Sequence, residues 1–163
     1  MRGYAKTMSR SALVPDHFVV PQELVHERFR LEPLGPQHNE RDYDAWMSSI
    51  EHVRSTPGFV GLNWPSLERA SLETNLTDLG RHADDFARRV GFTYSVIEVP
   101  GDQVVGCVYI YPARTDDAAV EVRSWVRVER ADLDMPLYEA VSAWLAADWP
   151  FSQVRYAPRL HKQ

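Results

Sequence analysis

Three things are scarce in these 163 residues: cysteine, glycine in the last third of the chain, and long apolar runs. The lone cysteine, Cys107, rules out an intrachain disulfide and a zinc cluster built on cysteines, and inside an apolar strand it reads as core packing. Gly106 is the last of eight glycines, and neither a phosphate-binding P-loop nor a Ser/His/Asp signature occurs. No segment approaches the roughly 20 apolar residues that cross a membrane. The basic stretch over residues 1–10 is followed by no apolar region of signal-peptide length, so the cytoplasm is the expected location and a membrane partner is not expected. The six histidines are scattered without ligand spacing such as His-x-x-x-His, so no metal is expected. A net charge of -5 argues against a general nucleic-acid surface, because phosphate contacts need basic residues.

What is present suits one domain, over residues 28–163, preceded by an arm over residues 1–27. The arm contains Pro15 and Pro21, lacks periodicity, and either lies on the body or extends from it. Residues 29–34 alternate and are closed by Pro33, Gly35 and Pro36, predicting a short edge strand. Asn39 is a candidate N-cap for a helix carrying Tyr43, Trp46, Met47 and Ile50 and ending near Ser55. The connection over 56–65 holds Phe59, Val60, Leu62 and Trp64, too apolar for a surface loop, so it either folds under as core or lines a ligand site. Ser66 is read as the cap of a long helix whose stripe is Leu72, Leu76, Leu79, Ala83, Phe86 and Val90, with Gly91 as its C-terminal stop. His82 falls among polar residues off that stripe and reads as solvated.

A hairpin follows, turning through Pro100, Gly101 and Asp102. Its second strand, 104–111, is apolar on both alternating sets and so central, with Gly106 marking a bulge or a close backbone approach. The next unit, 117–158, reads strand, bend, helix, strand, and such a crossover gives a parallel pair. Alternation divides its first strand into a core face of Val120, Val122, Ser124 and Val126 and a cleft face of Glu121, Arg123, Trp125 and Arg127. Asp134 is a good N-cap and Pro136 fits the first turn of the helix. Leu137, Val141, Trp144 and Leu145 form that helix's apolar side.

This order of elements resembles the GNAT superfamily of acyl-CoA-dependent N-acetyltransferases, from about residue 28 onward. It is most similar to the ribosomal-protein and antibiotic acetylating branch, where a strand close to Gly-Tyr-Trp-Val precedes the cofactor loop; the matching residues are Arg123, Ser124, Trp125 and Val126. The resemblance implies an α/β (α+β) fold: a mixed, mostly antiparallel sheet with one parallel strand pair that splays apart, and helices on both faces. It implies acetyl-CoA as co-substrate, its pantetheine arm on the exposed edge of the first strand of that pair. Its pyrophosphate would lie at the next helix's N-terminus, where N–H groups are unpaired. The cofactor-binding residues implied are Trp125, Val126, Arg127, Arg130 and Met135. The family's loop carries glycines; the stretch 130–136 has none and has Asp132 and Asp134 where the anion would dock, opposing it by roughly 1–4 kcal/mol per unit-charge pair. The family also adds a helix and hairpin beyond the last strand, one source of a general-acid tyrosine. The sequence reaches only Gln163, so an exposed edge is expected there, covered by the arm or by a second copy in a homodimer.

The reading is therefore an acetyl-CoA-dependent N-acetyltransferase in which a small-molecule or peptide amine attacks the thioester directly. Glu121 is the candidate base, with Arg123 beside it holding the carboxylate charged. Trp64, Tyr109, Tyr111 and Arg123 are the candidate substrate pocket. The alternative is a non-catalytic GNAT-like module that binds a small ligand or a protein and has lost pyrophosphate recognition.

Overall fold

The computed structural model describes residues 11–114 and 118–160; the arm's residues 1–10, most of the predicted polar turn over 114–117, and the last three residues lie outside them. Six strands form one sheet in sequence order: β1 (Leu24–Val25), β2 (Phe29–Pro33), β3 (Phe92–Glu98), β4 (Val104–Pro112), β5 (Val120–Val126) and β6 (Val154–Tyr156). Each neighbouring pair is antiparallel except β5 and β6, which are parallel. Among the described residues there are four α-helices: α1 (Asn39–Met47), α2 (Ile50–Arg54), α3 (Leu72–Ala87) and α4 (Asp134–Asp148). The crossover from β5 to β6 runs through a 3-10 segment, Val128–Leu133, and then α4.

Alternation along the strands divides the core in two. On one face, Leu31, Tyr94, Val96, Ile110, Val120 and Val122 pack with Leu137, Val141, Trp144 and Leu145 of α4. On the other, Ile97, Cys107 and Trp125 pack with Trp46 of α1, Val53 of α2, Phe59 and Leu79 of α3. Ser124 shares a face with Val122 and Val126, whereas Trp125 is fully buried on the face of Glu121 and Arg123. Gly106 meets the expectation of a close approach: a Cβ there would stand 2.1 Å from the Trp125 carbonyl oxygen. The register slip between Val96 and Ile97 lies beside it.

Residues 11–25 lie on the body. Val14 and Val20 are buried, the Leu13 amide donates to the Arg89 carbonyl, the Tyr94 hydroxyl donates to the Pro21 carbonyl, and β1 pairs with β2. This segment pairs at the edge opposite β6, so among the described residues it does not cover β6 by strand pairing.

Several predicted boundaries move. Ser71, not Ser66, caps α3, its Oγ accepting from the Thr74 amide at 3.0 Å. The helix expected from Asn39 to Ser55 breaks between Met47 and Ile50 into α1 and α2, and Asn39 is the first helical residue, its side chain donating to the Leu72 carbonyl. Asp134 is likewise the first residue of α4 instead of its cap, because the 3-10 segment runs directly into the helix. The left-handed residue after α3 is Arg89, with φ 63°, not Gly91. Gly91 is required for a different reason: a Cβ there would collide with the Tyr111 ring at 2.1 Å.

Candidate functional site

The register of β4 against β5 sets Cys107 opposite Trp125, Tyr109 opposite Arg123, and Tyr111 opposite Glu121, six side chains on the face covered by α1 and α3. Toward the open end of that face the helices stand away and leave a cavity of about 500 Å³. Trp64, Tyr109, Tyr111, Glu121 and Arg123 all line it, as do Asp42 of α1 and Asn75, Asp78 and His82 of α3. The loop expected to be either core or ligand wall is both: Phe59 is buried and, with Trp64, borders the cavity, while Val60 is exposed.

α3 is where sequence reasoning missed residues. Its predicted apolar stripe begins at Leu72 and Leu76, yet these are 44% and 45% exposed, and the face turned inward carries Asn75, Leu79 and Asp85. Asn75, Asp78, His82 and Asp85 recur at helical spacing next to the apolar stripe, and that polar row was the available signal. His82 is accordingly not solvated. The Tyr111 hydroxyl donates to Asp85 Oδ2 at 2.8 Å, so its oxygen accepts from His82 Nδ1 at 2.9 Å, with Thr93 Oγ1 3.1 Å from the same nitrogen. That places the ring proton on Nδ1 and leaves Nε2 as an acceptor. Burial, reinforced by Arg81, drives the His82 pKa down to about 4, so the imidazole is neutral at pH 7.

Further hydrogen bonds tie the cavity-lining Tyr109, Asp42 and Asn75 to the core behind them. Trp125 Nε1 donates to the Tyr109 hydroxyl at 2.9 Å, the Cys107 thiol to Asp42 Oδ1 at 3.3 Å, and Asn75 Nδ2 to Asp42 Oδ2 at 3.1 Å, while Trp46 Nε1 donates to Asn75 Oδ1 at 3.1 Å. Burial pushes the Asp42 carboxyl up, against those hydrogen bonds from Asn75 and Cys107. Glu121 and Arg123 form an ion pair at 3.2 Å, and Arg123 Nε also donates to the Gly58 carbonyl at 2.8 Å, tying the apolar loop to β5.

The residues expected at a coenzyme are placed differently. β5 and β6 pair from Val120 with Val154 to Val122 with Tyr156, and no pairing continues beyond. The slot past that point is filled by the chain itself: the buried Arg159 guanidinium donates to the Ser124 carbonyl at 2.7 Å and to both carboxylate oxygens of Asp134, at 2.8 and 3.2 Å. Arg127 is buried and bonded to the Val104 carbonyl, Asp44 and Glu129, and Arg130 is bonded to Glu98 at 2.6 Å. Trp125 and Val126 lie in the two cores, and Met135 borders a second hollow with Asp132, Asp134 and Arg159. With no glycine in the loop, acids at the start of α4, both arginines engaged and the β5 edge occupied, the residues as arranged do not fit the diphosphate of acetyl-CoA.

Among the described residues no group of three metal-ligating side chains gathers, and no helix is long and apolar enough to cross a membrane.

No family model and no curated protein matches this sequence. Solved structures do. A ribosomal-protein-S5-alanine acetyltransferase from Vibrio fischeri aligns with a TM-score of 0.59 at 12% identity, covering 76% of this chain and 66% of that one. A ribosomal L7/L12 α-N-protein acetyltransferase aligns at 0.58 and 14% identity, covering 83% and 70%. The microcin C7 self-immunity acetyltransferase, solved with acetyl-CoA and AMP, aligns at 0.56 and 11% identity, covering 80% and 68%. The chain thus spans about two thirds of the length of these structures. Together with the parallel β5–β6 pair at the end of an otherwise antiparallel sheet, these alignments show that the chain has the GNAT acetyltransferase fold.

Proposed function

We propose that this protein is an N-acyltransferase whose acceptor, a small-molecule or peptide amine, binds in the cavity between α1, α3 and strands β4 and β5. One observation carries the reading: the cavity opens on Glu121 and Arg123 of β5, the strand from which β6 parts after Val122, the residue between them. Asp42, Glu121 and the Nε2 lone pair of His82 are acceptors suited to an N–H-bearing cation, and Trp64 and Tyr109 supply apolar walls for its body. Glu121, 3.2 Å from Arg123, is the candidate base for the acceptor ammonium, and neutral His82 offers a second acceptor across the cavity. Acetyl-CoA, bound in one structural neighbour, is the donor this reading takes, held by its pantetheine arm and not by its diphosphate.

The occupied slot and the acids at the start of α4 favour a second reading, a module that binds an amine without transferring an acyl group. Calorimetric titration with acetyl-CoA and desulfo-CoA separates the two. Binding tighter than millimolar supports acyl transfer; weaker binding to both, in the wild type and in Arg159→Ala, leaves only the binding module.

A further inference from the structure

β5 is an inner strand for half its length and an edge for the rest. Its pairing with β6 stops at Val122, so the Ser124 carbonyl faces the slot with no strand partner. An edge of this kind ordinarily takes up an extended, amide-bearing chain through backbone hydrogen bonds. Here a side chain has taken that place. Arg159 Nη2 reaches the Ser124 carbonyl at 2.7 Å and Ser124 Oγ at 3.3 Å, and Nη1 closes back on the Ala157 carbonyl at 3.0 Å. The guanidinium meets Asp134 through two nitrogens and lies 5.7 and 5.8 Å from the centres of the Tyr138 and Tyr156 rings. A bidentate carboxylate, a carbonyl and two aromatic rings form a cradle specific for a planar cation.

We infer that Arg159 is a built-in occupant of this slot and shuts the β5 edge against an acyl donor until the segment 157–160 swings out. The inference rests on the acyl-transfer reading and adds the regulation of its donor side. Two observations support movement of the segment. Leu160 is 90% exposed, so its side chain does not anchor the segment, and a hollow of about 570 Å³ lined by Pro57, Met135 and Leu160 adjoins it. Departure of the guanidinium frees the Ser124 carbonyl and also uncovers Asp134, so the opened edge favours a neutral amide arm over a diphosphate.

The test measures pantetheine and desulfo-CoA binding to the wild type, Arg159→Ala and Arg159→Gln by calorimetry. The expected result is at least tenfold tighter pantetheine binding in the variants, with a smaller gain for desulfo-CoA. Equal affinity in wild type and variants overturns the gate while leaving acyl transfer standing. No binding to any of the three proteins removes both. Hydrogen exchange on the wild type keeps the question answerable if the variants fail to fold: pantetheine should increase exchange in the segment 157–160, and bound ligand with unchanged exchange there overturns the inference.

Discussion

β5 serves two hollows that differ in how their charges are met. On its α3-side face, Glu121 and Arg123 border an open cavity, pair with each other at 3.2 Å, and remain partly exposed. On its edge, one residue along, the Ser124 carbonyl and Asp134 are met by an arginine whose side chain is 3% exposed. Water can replace a lost partner in the first place and much less readily in the second. Removing one partner of the pair therefore costs little on the cavity wall and more in the slot.

The strongest challenge to that contrast is Trp125→Ala, which empties the wall beneath the cavity. The side chain is fully buried and donates to Tyr109, so denaturant unfolding should show a loss of about 3–5 kcal/mol; a loss below 1 kcal/mol would mean the cavity floor is not packed as described.

Next in size is a pH effect confined to the cavity. The His82 pKa is lowered in the fold to about 4 from 6.5, so the unfolded chain binds the extra proton between those values. Stability from this group is present above pH 6.5 and is lost as pH falls toward 4, by at most about 3 kcal/mol. Arg81 lowers the pKa, whereas Asp85 and Asp78 raise it, so neutralising Asp85 should deepen the depression. Urea midpoints taken across pH 4–7 should show a shallower slope for His82→Gln than for the wild type. Parallel slopes would place the histidine in water.

The paired substitutions are smaller and test the comparison most directly. Arg159→Ala should destabilise by about 2 kcal/mol, since Asp134 retains some access to water, and Arg123→Ala by less than about 1 kcal/mol. Equal losses in thermal or urea unfolding would erase the distinction between slot and cavity. Smallest of all for stability is Glu121→Gln, expected within about 0.5 kcal/mol of the wild type. In an acyl-transfer assay, however, it should lower kcat with KM little changed; unaltered kcat would remove Glu121 as the base.

Much of the architecture was legible because it depends on local periodicity. Alternation along β5 separated Val120, Val122 and Ser124 from Glu121, Arg123 and Trp125, and the sheet preserves that division. The close approach at Gly106 and the parallel crossover followed from equally local rules. His82 reads as solvated from the sequence because the apolar stripe of α3 suggests a different inner face, whereas the helix turns a row of polar residues inward to meet Tyr111, 29 positions away. The cap positions of α1 and α4 shifted for a related reason: Asn39 and Asp134 spend their side chains on Leu72 and Arg159, tertiary partners that no local pattern contains.

By itself, then, the sequence determined the β3–β4 hairpin, the parallel crossover from β5 to β6, the two faces of β5, and the absence of a glycine cradle at the start of α4, since each depends on local pattern; β2, expected at the edge, is internal because Leu24–Val25 pairs outside it. Only the tertiary structure decided that His82 belongs to the cavity and that Arg159 fills the slot. Both are hydrogen-bonding choices between side chains brought together from distant segments, Arg159 lying 35 positions from Ser124, and a one-dimensional pattern carries no information about which distant acceptor a side chain will find.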